Sequence, residues 1–385
     1  MSASSLSTTA PSAEAIQAAL ATVDDPEIRK PITDLGMVKS VDIAADGSVA
    51  VAVWLTVAGC PLREEITRRV TEAVGSVPGV RAVQVELDVM SEEQRKGLSS
   101  RLKSGGAAER EIQFAQPGSL TKVFAVASGK GGVGKSSITV NLAAAMAAQG
   151  LSVGVVDADI YGHSVPRMLG ADGRPTQVDD MIMPPSAHGV RVISIGMFTP
   201  GNAPVVWRGP MLHRALQQFL ADVYWGDLDV LLMDLPPGTG DIAISVAQLV
   251  PSAEILVVTT PQAAAAEVAE RAGTVALQTH QRIAGVIENM SWLNLPDGSR
   301  SEIFGSGGGA AVAAALSRAV GTEVPLLGQV PLETSLREGA DRGVPLVLTG
   351  STSEAAVVLR DIAQRIVGRP RGLAGMSLSL TPTAR

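Results

Sequence analysis

The stretch Gly129-Lys-Gly-Gly-Val-Gly-Lys-Ser-Ser137 constrains this chain more than any other. It lies between an apolar run, Val123–Ser128, and an Ala/Leu/Met-rich stretch, Ser137–Gln149, that Gly150 ends. Strand, glycine loop and helix in that order are the context that the pattern G-x-x-x-x-G-K-[ST] requires. Gly129, Gly134, Lys135 and Ser136 stand at its fixed positions. Gly131 and Gly132 keep side chains out of the way, so backbone N–H groups of Lys130 to Ser137, Val133 included, can face phosphate oxygens. The helix N-terminus adds partial positive charge. Lys135 is expected to reach the terminal phosphates of ATP, and the Ser136 hydroxyl to coordinate Mg²⁺.

Two further strand ends carry carboxylates. Val153-Gly-Val-Val-Asp-Ala-Asp159 places Asp157 and Asp159 two residues apart. We assign Asp157 to the metal shell and Asp159 to orienting the attacking water. Asp229-Val-Leu-Leu-Met-Asp234 ends in Asp234, which suits holding Mg²⁺ through water. Pro236-Pro-Gly-Thr-Gly240 then reads as a switch loop. Each aspartate alone would serve equally well as a helix cap or turn residue; their order after the glycine loop favours the nucleotide reading. Val286-Ile-Glu-Asn289 ends a late strand. Its amide could pair with adenine, although spacing alone favours a turn residue.

With 385 residues, two domains are expected. Residues 1–12 are expected to be disordered, residues 13–90 to form a small α+β domain and residues 91–117 a linker. Residues 118–367 alternate apolar runs with helical stretches, which predicts a doubly wound, mostly parallel α/β sheet. Residues 368–385 read as a flexible tail. In the small domain, helices are expected over Ala13–Thr22 and Leu62–Val74, and strands over Val49–Val57 and Val80–Val89.

Composition narrows the function. A net charge of -7 and 3% aromatic residues argue against a nucleic-acid partner. No run approaches the length of a membrane span, and Met1–Pro11 lacks the basic and apolar parts of a signal peptide. Cys60 is the only cysteine, so no intrachain disulfide can form. A cytoplasmic location is the expectation. No two of the four histidines stand at metal-ligand spacing.

Lys130, Asp157-Ala-Asp-Ile-Tyr-Gly162, Trp207-Arg-Gly-Pro-Met211, Asp234-Leu-Pro-Pro-Gly-Thr-Gly-Asp241 and Glu288-Asn-Met-Ser291 together resemble the Mrp/ApbC iron–sulfur cluster carrier ATPases, within the MinD/ParA class of deviant Walker A proteins. Asp25-Pro-Glu-Ile28, Thr33-Asp-Leu-Gly36 and Thr56-Val-Ala-Gly-Cys-Pro61 resemble the small SufT-like (FSCA-type) assembly domain. The resemblance implies ATP hydrolysis, a homodimer, delivery of clusters to apo-protein clients or scaffolds, and contact of Asn289 with adenine. It also implies that Lys130 reaches across the dimer to the partner's nucleotide. The family's cluster-binding C-x-x-C aligns with Leu295 and Gly298 here, and neither can ligate iron.

Two readings of the cargo follow. In one, Cys60 helps hold a labile iron–sulfur cluster at the dimer level. In the other, the chain assists cluster assembly without holding the metal. For Cys60 itself, a small buried hydrophobe and a thiolate at a helix N-terminus remain equally open. A different class of function, a MinD/ParA-like spatial organiser, would need a basic face or a C-terminal amphipathic helix. The net charge does not favour the first, and residues 368–385 lack the periodicity for the second.

Overall fold

The computed structural model describes residues 11–26, 28, 30–56, 63–91, 93–95, 97–98, 111–116, 118–159, 162–179, 181–198, 209–238, 241–262, 276–279 and 281–368. Cys60, Trp207, Arg208, Thr239 and Gly240 lie outside them, as do most of the expected disordered N-terminus, of the linker and of the tail. The chain divides into two compact units.

The smaller unit comprises Met1–Arg110, Pro175–Pro184 and Asp222–Gly226. Its sheet has three strands, β1 (Val38–Ile43), β2 (Ser48–Leu55) and β3 (Ala82–Val89), with β2 in the middle. β1 pairs antiparallel and β3 parallel to β2. Strict alternation drives β2: Val49, Val51, Val53 and Leu55 are buried while their neighbours are partly exposed. Helix α1 (Ala13–Leu20) buries Ile16 and Leu20; α2 (Arg63–Gly75) buries Ile66, Val70 and Val74, four residues apart. Ser12, expected in the disordered start, caps α1: its hydroxyl accepts a hydrogen bond from the Ala15 N–H at 3.1 Å.

Three features of this unit differ from the sequence expectation. Strand β1 was not anticipated, because only half its positions are even partly buried. Leu98, inside the expected linker, is buried in this core. Val178, Met181 and Met183, expected within the larger domain, belong to the same apolar cluster. They lie on a short antiparallel pair, Thr176–Val178 with Met181–Met183. Ile182 extends that pairing: its N–H donates to the Asp222 carbonyl, and its own carbonyl accepts from the Tyr224 N–H, both at 2.8 Å.

The larger unit is built on an eight-stranded sheet. In chain order its strands are β4 (Lys122–Ser128), β5 (Val153–Asp157), β6 (Ser186–Ala187), β7 (Val190–Ser194), β8 (Val230–Asp234), β9 (Glu254–Thr259), β10 (Ile283–Asn289) and β11 (Leu326–Val330). Their order across the sheet is β11-β10-β9-β4-β8-β5-β7-β6. All pairings are parallel except β6 with β7. β5, β7 and β8 are buried at every position, as strands covered on both faces must be.

The helices of this unit include α3 (Lys135–Ala148), α4 (Val165–Leu169), α5 (Gly209–Ala221), α6 (Asp241–Leu249), α7 (Gly308–Val320), α8 (Thr334–Arg342) and α9 (Glu354–Val367). α3 is apolar nearly all round, with Ile138 through Met146 buried. It therefore sits inside the core and aims its N-terminus at a fixed point. β4 occupies the middle of the sheet, between β8 and β9, and in sheets of this kind ligands bind off the carboxyl ends of central strands.

Candidate functional site

Strand β4 leads directly into the glycine loop. Gly132 and Gly134 adopt φ of 79° and 81°, a left-handed conformation that side chains resist. Gly134 then forms the N-cap of α3, which begins at Lys135. Val133 is buried and pins the loop to the core, while Gly131 and Gly132 are exposed. The first N–H groups of α3, which have no partner within a helix, are thus set at the end of the loop.

Parallel pairing sets the carboxylates. In the β8–β5 register Asp234 stands beside Asp157, so two buried acids end neighbouring strands. Lys135, only 6% exposed, brings its Nζ to 2.8 Å from Oδ2 of Asp234. That ion pair can engage only one of the ammonium's three N–H groups, and the other donors stay unspent. The same Oδ2 accepts from the Ser136 hydroxyl at 2.6 Å. Oδ1 of Asp234 accepts from the Thr139 hydroxyl at 2.7 Å. A buried cation with unspent donors fits a phosphate. A serine hydroxyl beside a strand-end carboxylate fits Mg²⁺, a cation of hard oxygen ligands.

Asp157 is held on three sides. Its carboxylate accepts from the Asp159 N–H at 3.2 Å, the Val165 N–H at 3.3 Å and the Ser194 hydroxyl at 3.1 Å. Burial pushes its pKa up to about 8, and the nearby charge of Asp234 pushes the same way. A divalent cation beside it would favour the charged form and oppose both pressures. Asp159 is half-buried, and its Oδ1 accepts from the Gly162 N–H at 3.1 Å.

Lys130 donates to Oε1 of Gln262, just past β9. Asn289, at the end of β10, is only 2% exposed. Its Nδ2 donates to the Val133 carbonyl at 2.9 Å, and its Oδ1 has no partner. Lys130, Lys135, Ser136, Asp234 and Asn289 therefore gather around the loop or contact it directly. Cys60 lies outside the described residues. Among those residues, no group of three or more His, Cys, Asp or Glu could hold a metal ion.

Sequence reading missed Thr139, Gln262 and Ser194. Thr139 carried a usable signal: four residues after Lys135, it lies on the helix face that follows the lysine toward Asp234. Gln262 and Ser194 carried none, since their partners are set by distant pairing of strands.

The stretch after β10 carries Leu295 and Gly298. Leu293 and Asn294 pair antiparallel with Ser301 and Arg300. Glu354, in the first turn of α9, holds the hairpin: it accepts from Trp292 Nε1 at 3.3 Å, Asn294 Nδ2 at 3.0 Å and Arg300 at 2.6 Å. The Arg300 guanidinium also lies over the Trp292 ring, 4.1 Å from its centroid.

Residues 119–367 match the family described as NUBPL iron-transfer P-loop NTPase, and residues 13–87 match the one described as iron–sulfur cluster assembly protein. An iron–sulfur cluster carrier protein of Mycobacterium tuberculosis (strain H37Rv) is 67% identical over 371 residues, 96% of this chain and 97% of that one. One from Deinococcus radiodurans is 43% identical, covering 92% and 95%. Among solved structures, an Archaeoglobus fulgidus nucleotide-binding protein in complex with ADP is 33% identical, covering 61% of this chain and 93% of that one, with a TM-score of 0.49. On its family match and the two carrier-protein relatives, the chain belongs to the NUBPL iron-transfer P-loop NTPases, with an iron–sulfur cluster assembly segment ahead of the nucleotide-binding fold.

Proposed function

We propose that this chain hydrolyses ATP and carries iron–sulfur clusters, or helps transfer them, to apo-proteins in the cytoplasm. One observation carries the ATPase reading: Lys135, Ser136 and Asp234 meet at the head of α3, with the buried lysine engaged by no group other than that carboxylate. A triphosphate with its divalent cation supplies what those groups lack. Mg²⁺, when bound, would supply charge neutralisation for the phosphates. Ser136, Asp157 and Asp234 would hold it. Lys135 neutralises the terminal phosphate, and the glycine-loop N–H groups cradle the rest. Asp159 orients the attacking water. Lys130 turns from Gln262 to the nucleotide of a second copy in a homodimer, and Asn289 contacts adenine. Catalysis is then positioning and charge neutralisation.

The names of the close relatives and the N-terminal match support the cluster cargo. Cys60, in Thr56-Val-Ala-Gly-Cys-Pro61, is the one thiolate the chain offers as a ligand. A second reading, an ATPase that aids assembly without holding a cluster, is favoured by the 293–301 hairpin. Leu295 and Gly298 offer iron nothing, and the Trp292–Arg300–Glu354 clasp closes the hairpin without a metal.

The test has two arms. Mg²⁺-dependent release of phosphate from ATP checks the enzyme, and its absence from wild type would sink that reading. Anaerobic iron–sulfide reconstitution of wild type and Cys60→Ser checks the cargo. A cluster lost in the variant supports carriage through Cys60; a wild type that takes up no iron supports the accessory reading.

A further inference from the structure

We propose that Asn289, besides the base contact already assigned to it, is a positioning residue of the phosphate loop. One side chain would then tie base recognition to loop geometry. The inference rests on the nucleotide reading above. Contact with the base is what the family resemblance implies; the hold on the loop is new.

Asn289 and Val133 are 156 residues apart in sequence, yet Nδ2 lies 2.9 Å from the Val133 carbonyl oxygen. That oxygen can only accept, so it fixes which end of the amide faces the loop. The peptide after Val133 is trans. Its C=O and the N–H of Gly134 therefore point in opposite directions. Holding the carbonyl toward Asn289 turns the Gly134 N–H the other way and stops the oxygen from swinging round to repel a phosphate.

Two further observations show how tightly the contact is built. A Cβ on Gly134 would come within 2.3 Å of Asn289 Nδ2, so the amide occupies the space that a side chain would need. Met290, the next residue, holds φ at 59°, a conformation that non-glycine residues resist and that persists only where neighbours enforce it. The Ser291 N–H, bonded at 3.0 Å to the Val330 carbonyl, is one such constraint. The strand end is bent to deliver Asn289 to the loop.

What the amide does not use is equally informative. Its Oδ1 is buried with no partner. Buried acceptors are rarely left so, because the loss of hydration is uncompensated. An exocyclic amine, as on adenine, would satisfy it; the keto oxygen that guanine carries at the same position would oppose it. Base binding would then hold the Asn289 side chain, and through it the loop.

Calorimetric binding of Mg²⁺-tripolyphosphate, ATP and GTP to wild type and Asn289→Ala tests this. Tripolyphosphate has no base, so a pure base reader would not affect it. We expect the variant to bind tripolyphosphate about tenfold more weakly, and to lose the wild-type preference for ATP over GTP. Unchanged tripolyphosphate affinity overturns the loop role, and an unchanged ATP/GTP ratio overturns the base role. Should the variant not fold, hydrogen exchange of wild type decides. Millimolar adenosine is expected to slow exchange at residues 133–136, and no change there overturns the coupling. A wild type that binds neither ATP nor tripolyphosphate sinks the nucleotide reading itself; binding by wild type with an indifferent variant sinks this inference alone.

Discussion

The phosphate loop and the 293–301 hairpin follow β4 and β10, two strands of one sheet, and they are held in opposite ways. At the loop, buried polar groups are left partly unspent: the Lys135 ammonium has no partner beyond Asp234, Asn289 keeps an oxygen, and Asp157 is pressed toward its protonated form. At the hairpin, polar side chains pair with one another, with Glu354 accepting from three side chains and Arg300 stacked on Trp292. Unsatisfied groups ask for a ligand; a closed clasp does not. The first region is shaped for something that arrives and leaves, the second for keeping its own form.

The sharpest way to break that contrast is Lys135→Ala. It removes the cation at the loop and leaves Asp234 buried without its ion-pair partner. ATP turnover should fall about 10²- to 10³-fold, read as phosphate release; near-normal turnover would mean that the loop is not the site. Asp159→Ala should come next, with turnover slowed about 10²-fold and ATP affinity retained. Weakened binding with unaltered turnover would move Asp159 out of the catalytic step.

The next prediction concerns pH. Asp157 carries a folded pKa near 8 against an ordinary 3.8, so between these values the folded chain holds a proton that the unfolded chain has lost. Stability of the nucleotide-free, metal-free protein should be highest below about pH 4 as far as this group is concerned, and should decline as pH rises through 8. Asp157→Asn should flatten that decline in melting curves taken across the window. An identical slope in the variant would place the strain elsewhere.

The smallest effect belongs to the hairpin. Glu354→Ala takes the acceptor from Trp292, Asn294 and Arg300 at once, but at partly exposed positions. A loss of about 1 kcal/mol is expected, visible in chemical denaturation and Trp292 fluorescence, with turnover within about twofold of wild type. A large loss of turnover would show that hairpin and loop are not separate after all.

The place of the candidate site was largely legible because its parts are local. Apolar runs ending in Asp157, Asp234 and Asn289 announce strand ends, and the glycine loop announces the turn between β4 and α3. What each side chain touches was less legible. The hold of Asn289 on Val133 depends on β10 and β4 lying on either side of β9, which no local pattern encodes. Strand β1 escaped notice because a half-solvated edge strand needs little apolar sequence. Val178, Met181 and Met183 look like any short apolar run, and the core they join is a matter of tertiary packing.

That last feature bears on how the small unit could be inherited or exchanged. Its core draws on three separate stretches of the chain, the last ending at Gly226. A gene fragment stopping at residue 110 would encode its sheet and helices but not the methionines that complete its interior. Such a fragment would expose an apolar gap and tend to associate with itself. Recombination between relatives would succeed more often when the three stretches travel together than when the first is moved as a cassette.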